Sequence, residues 1–190
     1  MNPITLIIIL FSFLACGTKH KSVAEKSSDK TEIQQTVKKG TVSGTVSQTF
    51  SYCGGARPPD FLLEQLAQPK PFPNKKVHVI KGDTNTTAHK IILTFTSDST
   101  GNFSFKLEPG TYSIILDEQV SPPDAKKYKT QSQSIDEECY KNWWAKPYYL
   151  LEVPVTSQTT TIKGLNFTFH HRCFISSDVP CLQYLGPYPP

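Results

Sequence analysis

Asp98-Ser99-Thr100-Gly101-Asn102-Phe103-Ser104-Phe105-Lys106-Leu107-Glu108-Pro109-Gly110-Thr111-Tyr112-Ser113-Ile114-Ile115-Leu116 is the stretch whose reading decides the fold. Residues 98–102 form a polar turn, and Gly101 can take the positive φ that reverses the chain. Successive residues of a strand point to opposite faces, so Phe103, Phe105 and Leu107 lie on one side and Ser104, Lys106 and Glu108 on the other. Period two over six residues is a half-buried strand. Pro109-Gly110 predicts a type II turn, with Pro at its fixed φ and Gly at the left-handed position. The chain then runs back with Tyr112, Ile114 and Leu116 on one face.

The same alternation extends in both directions. Thr41-Val42-Ser43-Gly44-Thr45-Val46 sets Val against polar residues, and further strands are predicted at 76–80 and 90–96. Towards the C-terminus Tyr149, Leu151, Val153 and Val155 alternate, as do Leu165, Phe167 and Phe169, with residues 156–160 as the connection. Two stretches break the pattern. In residues 53–73, Asp60 is placed to cap a short helix carrying Leu62, Leu63 and Leu66, which Pro69, Pro71 and Pro73 forbid to continue. In residues 118–147, Ser134-Ile135-Asp136-Glu137 has the spacing of a capping box, and Ile135, Cys139 and Trp143 repeat every four residues. The expected fold is all-β, an antiparallel seven-strand-type sandwich with two short helical insertions, spanning residues 40–190 with a C-terminal extension over 170–190.

Gly44-Thr45-Val46, Pro73-Asn74-Lys75-Lys76-Val77-His78-Val79, the 98–101 turn, Phe103, Phe105, Leu107, Pro109-Gly110 and Tyr112 together resemble the carboxypeptidase regulatory-like domains. Those belong to the transthyretin-like and collagen-adhesin-B-like sandwiches. The resemblance covers residues 40–116 and implies a scaffold or binding role, since that module carries no zinc ligands in the parent peptidases.

The first 15 residues read differently. Ile4 to Ala15 is an uncharged apolar run, too short to span a bilayer core of ~30 Å as a helix but suited to a secretory signal. Cys16 follows small Ala15 in Phe13-Leu14-Ala15-Cys16-Gly17, which resembles the lipobox of bacterial lipoproteins and implies acylation of Cys16. Residues 16–39 then read as a flexible polar tether. Six lysines there face only Glu25, Asp29 and Glu32, so about +3 of the formal net charge of +4 sits in the tether. The remaining domain is nearly neutral, which argues against nucleic acid, and the expected partner is a membrane held through the lipid anchor. The expected location is the cell envelope, with a periplasm-facing outer-membrane anchor preferred over surface display.

With Cys16 acylated, Cys53, Cys139, Cys173 and Cys181 form an even set, which an exported chain is expected to oxidise. Four cysteines allow three connectivities, and the preferred one pairs Cys53 with Cys139 and Cys173 with Cys181. A metal or thiol site using these cysteines with His170 and His171 is the sharper alternative. It lacks the close Cys pairs of zinc sites, and adjacent histidines point to opposite faces of a strand. There is no Gly-x-Ser-x-Gly elbow, and the acids Asp136-Glu137-Glu138 suit a helix start. No cofactor and no catalytic residue are expected. Asn85-Thr86-Thr87, Asn102-Phe103-Ser104 and Asn166-Phe167-Thr168 match a glycosylation sequon that a lipobox chain would rarely have used.

Trp143, Trp144, Tyr148 and Tyr149 form an aromatic cluster. Trp143 and Tyr149 fit inward positions, leaving Trp144 and Tyr148 as the pair expected to be exposed and able to stack on sugar rings. The sequence therefore predicts a non-catalytic structural or binding module meeting an envelope protein or a glycan. The alternatives are a glycan-binding surface lipoprotein and a cysteine- or metal-dependent enzyme.

Overall fold

Eleven residues, Gly40–Phe50, form β1, the central strand of the first sheet, in the computed structural model, which describes residues 38–187 apart from 157 and 159. Cys16, the signal segment, most of the tether and the last three residues lie outside the described residues. After β1 come α1 (Asp60–Ala67), β2 (Lys70–Pro71), β3 (Lys76–Lys81), β4 (Ile91–Thr96), β5 (Asn102–Leu107) and β6 (Gly110–Ile115). Then follow α2 (Asp117–Val120), a 3-10 turn (Ala125–Tyr128), β7 (Gln133–Ile135), α3 (Glu137–Ala145), β8 (Tyr149–Val153), β9 (Thr161–His171) and β10 (Leu182–Tyr184).

In the first sheet β1 pairs antiparallel with β5 and β2 and parallel with β9. The second sheet runs β4-β3-β6-β8, antiparallel throughout. These seven main strands make the expected sandwich. Val42 and Val46 of β1, Phe103, Phe105 and Leu107 of β5, and Leu165, Phe167 and Phe169 of β9 meet Val77, Phe95, Tyr112, Ile114, Leu151 and Val153 from the other sheet. Phe103 stacks on Phe167 at 5.4 Å, so the aromatic alternation visible in the sequence becomes the centre of the core.

Three features depart from expectation. β1 and β9 run parallel, and their register shifts between Val42 and Gly44 because β9 carries one extra residue there. Gly164 takes φ +75° to make that bulge, and a side chain at Gly44 would strike the Leu165 carbonyl. Secondly, the two turns around β5 carry the chain from one sheet to the other rather than joining paired neighbours. Their apolar rows therefore face each other across the core. Gly101 has φ +81° and no room for a Cβ beside the Val46 carbonyl, so only glycine fits that crossing.

Thirdly, the second insertion is more elaborate than one short helix. α3 starts at Glu137, capped by the Asp136 carboxylate, which accepts from Cys139 N at 3.0 Å. Ser134, read as the cap, lies in β7, which pairs with β10. α2 is a third helix that no pattern announced. Asp60, expected as the cap of α1, is instead its first helical residue; Pro59 holds the N-cap position without a side-chain cap bond, and none of the residues of α1 is buried. A smaller core of Tyr128, Ile135, Tyr140, Ile175, Val179, Cys181 and Leu182 holds the second insertion to the C-terminal extension, and Trp143 packs against both cores.

Candidate functional site

The aromatic cluster is arranged differently from the sequence expectation. Trp144 is only 6 % exposed, and its indole N–H donates to the Ser121 carbonyl at 2.7 Å. The stripe that a packed helix buries is wider than one row of side chains, so Tyr140 and Trp144 sit beside the predicted row through Cys139 and Trp143. Trp144 is therefore removed from the ligand-contact candidates. Tyr148 is 37 % exposed as expected, and its exposed companion is Tyr149 at 41 %. Tyr149 points along the inward row of β8 but lies at the end of an edge strand, where Phe167 meets its ring edge-on at 5.7 Å. Val155, past the end of β8, is wholly outside the core.

Tyr148 is held rigidly. Its ring stacks on Phe169 with centroids 5.2 Å apart and planes 5° apart, and its hydroxyl donates to the Thr168 carbonyl at 3.1 Å. Burial raises the pKa of this phenol, and the Asp178 carboxylate adds to the shift, so the group stays a neutral donor. A groove of about 570 Å³ opens beside it, bounded by Asp83, Asn142, Lys146, Tyr149 and Leu150. Its lining is mainly apolar, and Asp83, Thr84, Asn142 and Lys146 bring an acid, a hydroxyl, an amide and an amine to it.

Two buried amides fix the turn that presents Tyr148. Gln119 is fully buried, and its Nε2 donates to the carbonyls of Trp143, Trp144 and Lys146 at 3.0, 3.2 and 2.7 Å. Its Oε1 accepts from Leu116 N at 3.1 Å. Asn85 Nδ2 donates to the carbonyls of Gln119 and Trp144, both at 2.9 Å. The last carbonyls of a helix need partners, and these side chains supply them at the end of α3. The sequence carries no signal for this arrangement. Asn85, part of one sequon, is 2 % exposed and so has no space for a glycan.

The cysteine pairing is Cys53–Cys173 and Cys139–Cys181, which corrects the preferred connectivity. Parallel pairing sets Phe50 opposite His171, so residues just beyond both strand ends fall side by side, and Cys53 and Cys173 have Cα atoms 5.3 Å apart. Likewise Ile135 pairs with Leu182 and Asp136 N donates to the Cys181 carbonyl at 3.1 Å, which brings Cys181 to the first turn of α3. In the chain-entropy model loops of these lengths are worth about 5 and about 4 kcal/mol.

His170 and His171 point to opposite faces, as their adjacency predicts. His171 packs inward, stacked on Phe50 at 5.0 Å with Nε2 2.9 Å from Gln48 Oε1. His170 lies on the outer face, its ring nitrogens 2.9 Å from Thr49 Oγ1 and 2.8 Å from Ser51 Oγ. Among the described residues no three His, Cys, Asp or Glu side chains gather as a metal would need.

A buried histidine elsewhere escaped the sequence reading. His78 Nδ1 lies 2.8 Å from Thr94 Oγ1 and Nε2 2.6 Å from Asp117 Oδ1, pinning β3 to β4 and to α2.

The outer face of the first sheet is a run of neutral hydrogen-bonding side chains. Thr45 Oγ1 donates to Asn166 Oδ1 at 2.7 Å, Ser47 and Thr168 hydroxyls lie 2.9 Å apart, and Thr49 meets His170. Comparison with protein-family models finds no match, and comparison with curated proteins finds none either.

Proposed function

We propose that this chain is a lipid-anchored envelope protein whose folded domain is a non-catalytic binding module, and that the groove beside Tyr148 and Tyr149 receives a glycan. One observation carries the reading of the site. Tyr148 is locked on Phe169 and Thr168 with its remaining surface turned to solvent beside a mainly apolar groove that Asp83, Asn142 and Lys146 also line. A sugar offers an apolar ring face and several hydroxyls, and this surface offers an aromatic plane with donors and acceptors close by. Because the ring is already fixed, little side-chain entropy is left to lose on binding.

The anchor rests on Cys16 after Ala15, in the order that resembles a lipobox. Two disulfides fit an oxidising compartment outside the cytoplasm, and the lysines of residues 19–39 suit a spacer beside an anionic membrane. The resemblance of residues 40–116 to carboxypeptidase regulatory-like modules supports a scaffold role for the sandwich. A cysteine-dependent enzyme is the weaker reading, since a sulfur in a disulfide is not available as a thiolate nucleophile.

The test has two parts. Intact mass of protein extracted from membranes should show a diacyl or triacyl addition on a chain beginning at Cys16; an unmodified chain would remove the anchor. Affinity electrophoresis through gels containing envelope polysaccharides should retard the wild-type domain, and unchanged mobility in every gel would remove the glycan.

A further inference from the structure

We infer that the ligand of this surface is an extended, uncharged polysaccharide chain, laid through three adjoining hollows, rather than a single sugar. The inference rests on the glycan reading above and deepens it. The groove of about 570 Å³ adjoins a second hollow of about 240 Å³ at Tyr148, which lines both. That second hollow adjoins a third, of about 390 Å³, at Thr168, which again lines both. The series therefore leads from the edge strand β8, over the open side of the sandwich and across β9, onto the outer face of β1. Two sheets about 10 Å apart and two strand spacings of about 4.8 Å give a path of about 20 Å, room for several sugar units.

The lining chooses the chemistry. The third hollow combines the hydroxyls of Thr45, Ser47 and Thr168 and the Asn166 amide with Lys70 and an apolar side of Val46, Pro69 and Pro71. Every outward position of β1 from Thr41 to Thr49 and on to Ser51 is Thr or Ser, an uncharged row of hydroxyls. Beside it Pro69 and Pro71 give the third hollow an apolar wall, and a sugar presents both an apolar ring face and hydroxyls to match the two. Charges at the middle hollow are consumed internally. Arg172 donates to the carbonyls of Val179, Pro180 and Leu182, and Asp178 pairs with Lys75. At the first groove Asp83 accompanies Lys146, and the third hollow adds only Lys70, so the lining carries no cluster of cations to recruit an anionic chain and a neutral one is favoured.

The experiment is isothermal titration of the protein with cello-, malto- and chito-oligosaccharide series from disaccharide to octasaccharide. Successive hollows act as linked sites, so affinity should rise about tenfold or more along one series. Ser47→Arg, which fills the third hollow from a half-buried position, should abolish that rise. Asn166→Ala, a smaller change, should reduce it. Equal affinity for short and long members would overturn this inference alone, as would a length dependence that survives Ser47→Arg. No binding by any series would overturn it together with the glycan reading.

Discussion

Tyr148 and Phe169 stack nearly parallel, 5.2 Å between ring centroids, although one precedes β8 in the second sheet and the other belongs to β9 in the first. The stack links the two sheets, which share no strand pairing among the described residues. It also fixes the aromatic surface on which the proposed ligand binding depends. Tyr148→Phe keeps the stack and removes the bond to the Thr168 carbonyl, so urea unfolding should show a loss of about 1 kcal/mol. Tyr148→Ala removes the ring as well and should cost about 2 kcal/mol, below the full core value because the ring is partly exposed.

The disulfides give a second prediction. Peptide mapping of the unreduced protein should recover Cys53 linked to Cys173 and Cys139 linked to Cys181. Removing the first pair with Ser at both positions should lower stability by about 2–5 kcal/mol, since it releases the longer loop. Removing the second should loosen the small core around Tyr140 and Val179 while the main sandwich stays folded, visible as selective loss of amide protection in β7 and β10.

This pairing shows where sequence reading stops. The alternation in β5, β6 and β9 is local, so their faces and the sandwich were legible from residue spacing. Cys53 and Cys173 are 120 residues apart and meet only because β1 and β9 run parallel, a relation that no local pattern contains. β7 and β10 are three residues each and exist as strands because they pair with each other. Ser134 carried the residue types of a cap, but its backbone was claimed by that pairing, and Asp136 took the role. At the site, exposure of Tyr148 was legible. Burial of Trp144 was not, because helix packing buries the row next to the obvious one.

Gln119 should prove more sensitive than its polar character suggests. Its fully buried amide serves three carbonyls at the end of α3 and the Leu116 amide. The Trp144 carbonyl keeps Asn85 Nδ2 and the Trp143 carbonyl keeps Lys146 N, so Gln119→Leu strips the partner from the Lys146 carbonyl and the Leu116 amide and should cost about 2 kcal/mol in chemical denaturation, with Tyr148 losing its fixed position. Gln119→Glu should be as harmful, because a carboxylate cannot donate to carbonyls.

Asp98 gives a prediction for pH. Its carboxylate accepts from Thr100 Oγ1 and from the backbone amides of Asn102 and Thr100, which together hold its pKa below the ordinary value of 3.8. A carboxylate whose folded pKa is depressed contributes stability that is complete above the unfolded value and is lost as pH falls through the folded one. Thermal unfolding of wild type should therefore decline on acidification below pH 3.8 more steeply than that of Asp98→Ala. Above that range the variant should be the less stable of the two, and parallel curves would show that the turn does not depend on this charge.

The central claim is that the fixed Tyr148 surface binds a glycan. Its most direct test is isothermal titration of the envelope polysaccharide retained best by the wild-type domain against wild type, Tyr148→Phe and Tyr148→Ala, each shown to be folded by circular dichroism. The account predicts measurable binding to wild type, nearly unchanged binding to Tyr148→Phe, and a loss of about tenfold or more with Tyr148→Ala, the scale of one aromatic contact. Equal affinity for wild type and a folded Tyr148→Ala would contradict it.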